Sequence, residues 1–219
     1  LPLNMTIPKF TRSKPDVAAE ASEPSKTRRI RFDMLIVLFA IMFAFEAFMV
    51  ASVNTTLPFL LTELGAGVGL ALLAASILGP SQVLARILLV VLERSMSPIS
   101  IAGVSMMAHP IGVMLILVFG VNGLIPFVIL HGISVGLDPF IRGTLPLLFF
   151  GPEQFGERQG YIMMLSKIVG AFSPLLLTLI VVMNPTVGII TTMSMGLGAT
   201  ALLLWLSVIR RTRLAKLTS

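Results

Sequence analysis

Beyond a polar opening, the apolar residues of this chain come in long, nearly unbroken blocks. Six of them, at 33–54, 69–92, 98–119, 124–149, 160–183 and 186–208, could each cross a bilayer, for which roughly 20 residues suffice. Backbone groups in lipid must be satisfied internally, so each block is predicted to be a helix. The interruptions are short: NTTLPFLLTELGAG, ERSMS, GVNG, GPEQFGERQ and NPT. Residues 55–68 can extend the helices on either side. The pattern predicts an all-α integral membrane protein with six transmembrane helices.

Lys and Arg accumulate on the cytoplasmic side of membrane proteins and set orientation. The first, third and fifth connections carry neither residue. The opposite side carries Lys26, Arg28, Arg29 and Arg31 before the first helix, Arg94 and Arg158 in the second and fourth connections, and Arg210, Arg211, Arg213 and Lys216 after the sixth. Both termini are therefore expected in the cytoplasm. The chain divides into a polar, basic linker or tail at 1–30, too poor in apolar residues to fold alone, a six-helix bundle at 31–209, and a basic tail at 210–219.

Composition agrees. Hydrophobic residues make up 56% of the chain and charged residues 12%, about half the charge of a soluble domain, and the mean hydropathy is +0.98. The net charge of +6 raises the question of nucleic acid, but the basic residues are distributed relative to a membrane rather than along one patch, so none is expected. With no cysteine, disulfides and thiolate metal sites are excluded. The two histidines, His109 and His131, stand far apart in sequence, so no histidine-based metal site and no cofactor are expected. The first residues contain no apolar core of signal-peptide length. Asn54-Thr55-Thr56 matches a glycosylation pattern, but at a helix mouth it is a poor acceptor.

Ionisable residues inside spans cost roughly 2.5–3.5 kcal/mol at mid-helix on insertion scales and mark functional positions by default. Glu46, in FAFEAFMV, lies about 20 Å along the first helix from Asp33. Its short side chain cannot reach the headgroups, leaving it either packed or a carrier of protons. Gln82 and Arg86 stand i,i+4 on one face of the second helix. Lys167 in the fifth is close enough to its inner end to snorkel, and His109 before Pro110 reads as a kink residue. The ionisable groups concentrate on helices one, two, four and five, which are therefore predicted to face protein or water, while three and six can face lipid.

The stretch HGISVGLDPFIRGTLP, 131–146, contains the letters of a serine-hydrolase G-x-S-x-G around Ser134. That motif works through a strand-to-helix turn, and a transmembrane helix offers none. On a helix, His131, Ser134, Asp138 and Arg142 instead fall within roughly an 80° arc, one polar stripe. Asp138 and Arg142 are in reach of an ion pair, a gating or structural latch, and His131 is a cavity residue. Gly132 and Gly136 would allow close approach of a neighbouring helix, and Pro139 would kink the helix below Asp138.

These features resemble the major facilitator superfamily, specifically the C-terminal six-helix half of such a transporter (equivalent to helices 7–12). In that family the first, second, fourth and fifth helices of each half line the cavity. Gly79-Pro80-Ser81-Gln82-Val83-Leu84-Ala85-Arg86 is similar to the G-P-x-Q-V-x-x-R of some bacterial members. Arg142-Gly143-Thr144-Leu145-Pro146, with Phe150-Gly151 and Phe155-Gly156, is similar to their fourth-to-fifth connection, and Glu93-Arg94 stands at the family's acidic–basic loop pair.

The resemblance spans about 30–209 and implies a secondary, proton-coupled transporter of a small, polar or anionic solute. Such a protein works by alternating access in a bacterial inner (plasma) membrane, with two halves rocking about a midplane site. The partner would be an N-terminal six-helix half or a second copy, and the linker-like opening without an initial methionine favours a fragment. Within this reading Glu46 is the proton-coupling carboxylate, Gln82, Arg86 and His131 are cavity residues, and Asp138–Arg142 is the latch. The alternatives are a non-transporting scaffold and an intramembrane serine hydrolase, which would need His109 to meet Ser134.

Overall fold

A computed structural model describes residues 34–218, with side chains to 212. The described residues form six α-helices: α1 (Met34–Glu63), α2 (Val68–Ser95), α3 (Pro98–Phe119), α4 (Leu124–Phe150), α5 (Phe155–Met183) and α6 (Pro185–Thr218). A 3-10 turn, Gly120–Gly123, joins α3 to α4. Five continuous helical segments are long and apolar enough to cross a membrane; one of them, 53 residues long, comprises α3, the turn and α4. The glycines of the turn break it. Gly120 adopts φ 58°, a left-handed conformation that L side chains disfavour, and a Cβ on Gly123 would collide with the carbonyl of Leu115. α3 and α4 thus fold back and pack along each other.

Local chemistry explains the helix limits. Residues 55–63 extend α1 through TTLPFLLTE, where Thr55 and Thr56 donate their hydroxyls to the carbonyls of Ala51 and Ser52 (2.8 Å each). Polar residues can stay helical in lipid this way, by bonding to their own backbone. The Ser97 side chain caps α3 by accepting from the Ser100 amide at 3.1 Å, with Pro98 in the first turn. Asn184 caps α6 by accepting from the Val187 amide at 3.1 Å. α6 runs on to Thr218, so the basic stretch expected as a tail from 210 continues the last helix. The polar tail expected at 1–30 lies outside the described residues.

α1 is the central helix. Two thirds of its most apolar window is buried (67%), against α5 and α6, with further contact to α2. α4 packs on α2 and α3, and α3 also packs on α6. Gly132 and Gly136 make the α4–α2 approach possible: a Cβ on the first would lie 2.5 Å from Ser81 Cβ, and on the second 2.6 Å from the Gln82 carbonyl oxygen.

α3 and α6, expected to be able to face lipid, present exposed apolar side chains such as Ile111, Met114, Leu204 and Val208, and they also turn polar groups inward. Ser105 and His109 of α3 and Thr192 of α6 are fully buried. The helix with least buried surface is α2, at 11% of its apolar window. Small hydroxyls and an imidazole can be partnered between helices at no charge cost.

Candidate functional site

Glu46 lies near the middle of α1, 0% exposed. Its Oε2 is 3.7 Å from Nη2 of Arg142 on α4, yet neither carboxylate oxygen has a hydrogen-bond partner among the described residues. Arg142 is held firmly elsewhere. Its Nε donates to both oxygens of Asp138, at 2.6 and 2.7 Å, one turn back on α4, so the i,i+4 pair anticipated from spacing is formed. Its Nη1 donates to Ser166 Oγ at 3.3 Å, and its guanidinium lies 5.2 Å from the centre of the Phe43 ring. Gln159 of α5 donates to the Arg142 carbonyl at 2.9 Å. One guanidinium thus joins α1, α4 and α5, with two carboxylates on one side of it and an aromatic face beside it.

This cluster borders a cavity of about 450 Å³ between α1, α4 and α5. Asp138, Pro139, Arg142, Ser166 and Lys167 line it, with the small side chains of Ala47, Ala51 and Ala171. Glu46 is not among the lining residues; it sits behind Arg142, shielded from the cavity. Glu46 and Asp138, both ionised, would share the one guanidinium, and a charged carboxylate is costly at Glu46, where water is excluded; a single bound proton removes that cost.

A second polar group occupies the opposite half of the bundle, nearer the 3-10 turn. His109 and His131, remote in sequence, are in contact, Nδ1 to Nδ1 at 2.9 Å. His109 Nε2 is 3.1 Å from Thr192 Oγ1, and His131 Nε2 is 3.1 Å from Asn54 Oδ1. Phe127 covers His131 with a ring stacked at 13°. The chain Thr192–His109–His131–Asn54 crosses α6, α3, α4 and α1.

With both rings neutral it can be satisfied in two ways. Thr192 can donate to His109, His109 to His131, and His131 Nε2–H to Asn54 Oδ1. Alternatively every donor reverses, Thr192 donates to the Ile189 carbonyl 2.8 Å away, and the Asn54 amide turns over so that its NH2 faces His131.

The polar stripe anticipated on α4 therefore divides. His131 turns into the α1–α3–α6 interior rather than toward the cavity, while Asp138 and Arg142 reach it. Ser134 lies between them, fully buried, its Oγ without a partner and its carbonyl accepting from Ser105 Oγ at 3.0 Å. Neither histidine is bonded to Ser134; both have other partners. On α2, Gln82 is half-buried and Arg86 exposed, and neither lines the cavity beside Arg142. Glu93 and Arg94 are exposed at the end of α2 and form no ion pair with each other.

Ser166, Phe43, Asn54 and Thr192 were not singled out as site residues from the sequence. Only Asn54, read as a weak glycosylation acceptor, and Ser166, next to Lys167, carried any signal. Among the described residues no three His, Asp or Glu side chains form a metal-ligand cluster. Comparison with protein-family models, with curated proteins and with solved structures finds no match to this chain.

Proposed function

We propose that this chain is one six-helix half of a proton-coupled secondary transporter of the major facilitator type, with six spans and both termini in the cytoplasm. The observation that carries the reading is Glu46: a fully buried mid-helix carboxylate, without a hydrogen-bond partner, held beside an Arg142–Asp138 pair that faces a cavity. A purely structural carboxylate would be expected to have its oxygens satisfied.

In this reading a proton on Glu46 makes the cluster neutral and leaves Arg142 bonded to Asp138. Loss of the proton sets Glu46 and Asp138 in competition for one guanidinium. Movement of Arg142 toward Glu46 would then change what the cavity presents, coupling proton occupancy to the α1–α4–α5 arrangement. A polar or anionic solute would be held by Arg142 and Lys167 across the cavity. Alternating access requires a second six-helix unit, a partner half or a second copy, and the broad exposed apolar faces of α2 and α5 suit such contact.

The test is uptake in proteoliposomes under an imposed pH gradient, across a panel of polar and anionic solutes. Glu46→Gln should abolish gradient-driven uptake and leave solute exchange partly intact. Unchanged gradient-driven uptake in that variant would remove Glu46 from the role of proton carrier.

A further inference from the structure

A second cavity, apart from the Glu46 cluster, lies at the basic end of the bundle, between the start of α3 and the ends of α4 and α6. Its volume is about 550 Å³. Its lining mixes two chemistries: Arg210 and Arg211 with the hydroxyl-bearing Ser100 and Ser207, and the apolar Leu148 and Leu204. Among the described residues, none that lines it is acidic. Neither guanidinium is ion-paired with a carboxylate among the described residues; Arg210 rests 6.0 Å from the centre of the Phe149 ring.

Depth places this cavity at a membrane surface. Arg210 lies 25 residues along α6 from Pro185, about 37 Å at the helical rise, just beyond a hydrocarbon core about 30 Å thick. Trp205, the chain's one tryptophan, is half-exposed a little over one turn before it, at the interfacial level that tryptophan favours. The Lys and Arg distribution puts this end in the cytoplasmic leaflet, where anionic lipids attract basic groups. A soluble anion would need only the arginines; the leucine wall beside them suits an attached acyl chain.

We infer that the cavity formed by α3, α4 and α6 at Arg210 and Arg211 binds an anionic phospholipid, its phosphate on the two guanidiniums and its acyl chain along Leu148 and Leu204. The assignment rests on the membrane orientation read above and not on transport, so loss of the Glu46 role leaves it standing.

Trp205 supplies the measurement. The protein is reconstituted in phosphatidylcholine vesicles containing a small fraction of brominated phosphatidylglycerol or brominated phosphatidylcholine, and tryptophan quenching is compared. Quenching by the anionic lipid should exceed that by the neutral one with a preference of about twenty-five-fold, from roughly fivefold for each of the two basic side chains near an anionic surface. Arg210→Gln/Arg211→Gln should lose the preference while retaining quenching by the neutral lipid, which shows that the bundle is intact. Arg210→Lys/Arg211→Lys should keep most of it.

Equal quenching by both lipids in the unaltered protein overturns the proposal. So does an anionic preference that survives the double Gln substitution. Removal of the preference by excess inorganic phosphate, but not by chloride at the same ionic strength, would make this a phosphate-ion site and overturn the lipid assignment.

Discussion

Arg142 Nη2 on α4 stands 3.7 Å from Glu46 Oε2 on α1, while Arg142 Nε is bound to Asp138 at 2.6 Å. Two carboxylates therefore depend on one guanidinium. Arg142→Gln strands both, and breaking a buried ion pair from one side costs about 3–5 kcal/mol. Thermal unfolding in detergent should show a marked loss for Arg142→Gln and a partial recovery in Glu46→Gln/Arg142→Gln. Equal stability of the single and double variants would mean that Glu46 draws no support from Arg142.

The His109–His131 contact predicts strong coupling. His131→Leu leaves His109 Nδ1 and Asn54 Oδ1 without partners in a dry interior, at about 1–3 kcal/mol for an unsatisfied buried group. Once His131 is gone, His109→Leu removes one of the stranded groups. The double variant should thus be more stable than the summed single losses imply, by about 1 kcal/mol or more. Additive losses would show that the rings do not support each other.

Gly136 sets the distance between α4 and α2. Gly136→Ala places a methyl against the Gln82 backbone and Ala85 Cβ, and overpacking of that kind costs about 1–3 kcal/mol. Gly143, on the same helix, has nothing within 4 Å of its would-be Cβ. Gly143→Ala should be neutral or stabilising by up to about 1 kcal/mol from helix propensity. Unfolding midpoints of the two variants, measured side by side, check the contrast.

The absence of native cysteine makes topology directly measurable. A cysteine replacing Asn122, in the turn between α3 and α4, should react with an impermeant maleimide on intact cells. Cysteines replacing Glu93 or Glu153, at the basic end, should react only after permeabilisation. Labelling of Asn122→Cys only in permeabilised cells would reverse the orientation and move the lipid-binding cavity to the outer leaflet.

Much of the architecture was legible along the chain, for identifiable reasons. Apolar blocks of bilayer length locate α1 to α6 because a backbone in lipid has few other ways to satisfy its hydrogen bonds. Glycine at 120–123 marks the fold-back of α3 onto α4. The spacings of Gly132 to Gly136 and of Asp138 to Arg142 needed only helical geometry to interpret, since i,i+4 neighbours are fixed by 3.6 residues per turn. The basic end, too, is written in the linear placement of Lys and Arg.

Contacts between helices were not legible in the same way. Which face of α1 meets α4, and so whether Glu46 finds Arg142, depends on helix rotation and tilt. A soluble helix declares its inward face by an apolar stripe, but a helix in lipid can be apolar all round, and the apolar residues of α1 do not gather on one side. The meeting of His109 with His131, the capture of Asn54 and Thr192 at its ends, and the closing of Ser166 on Arg142 all arise from packing of small residues and steric fit. Those choices exist only when six helices are assembled together. The sequence determined how many helices there are, where they turn and which end is basic; the tertiary structure alone decided which polar groups are partnered, and that Glu46 meets Arg142 without a hydrogen bond.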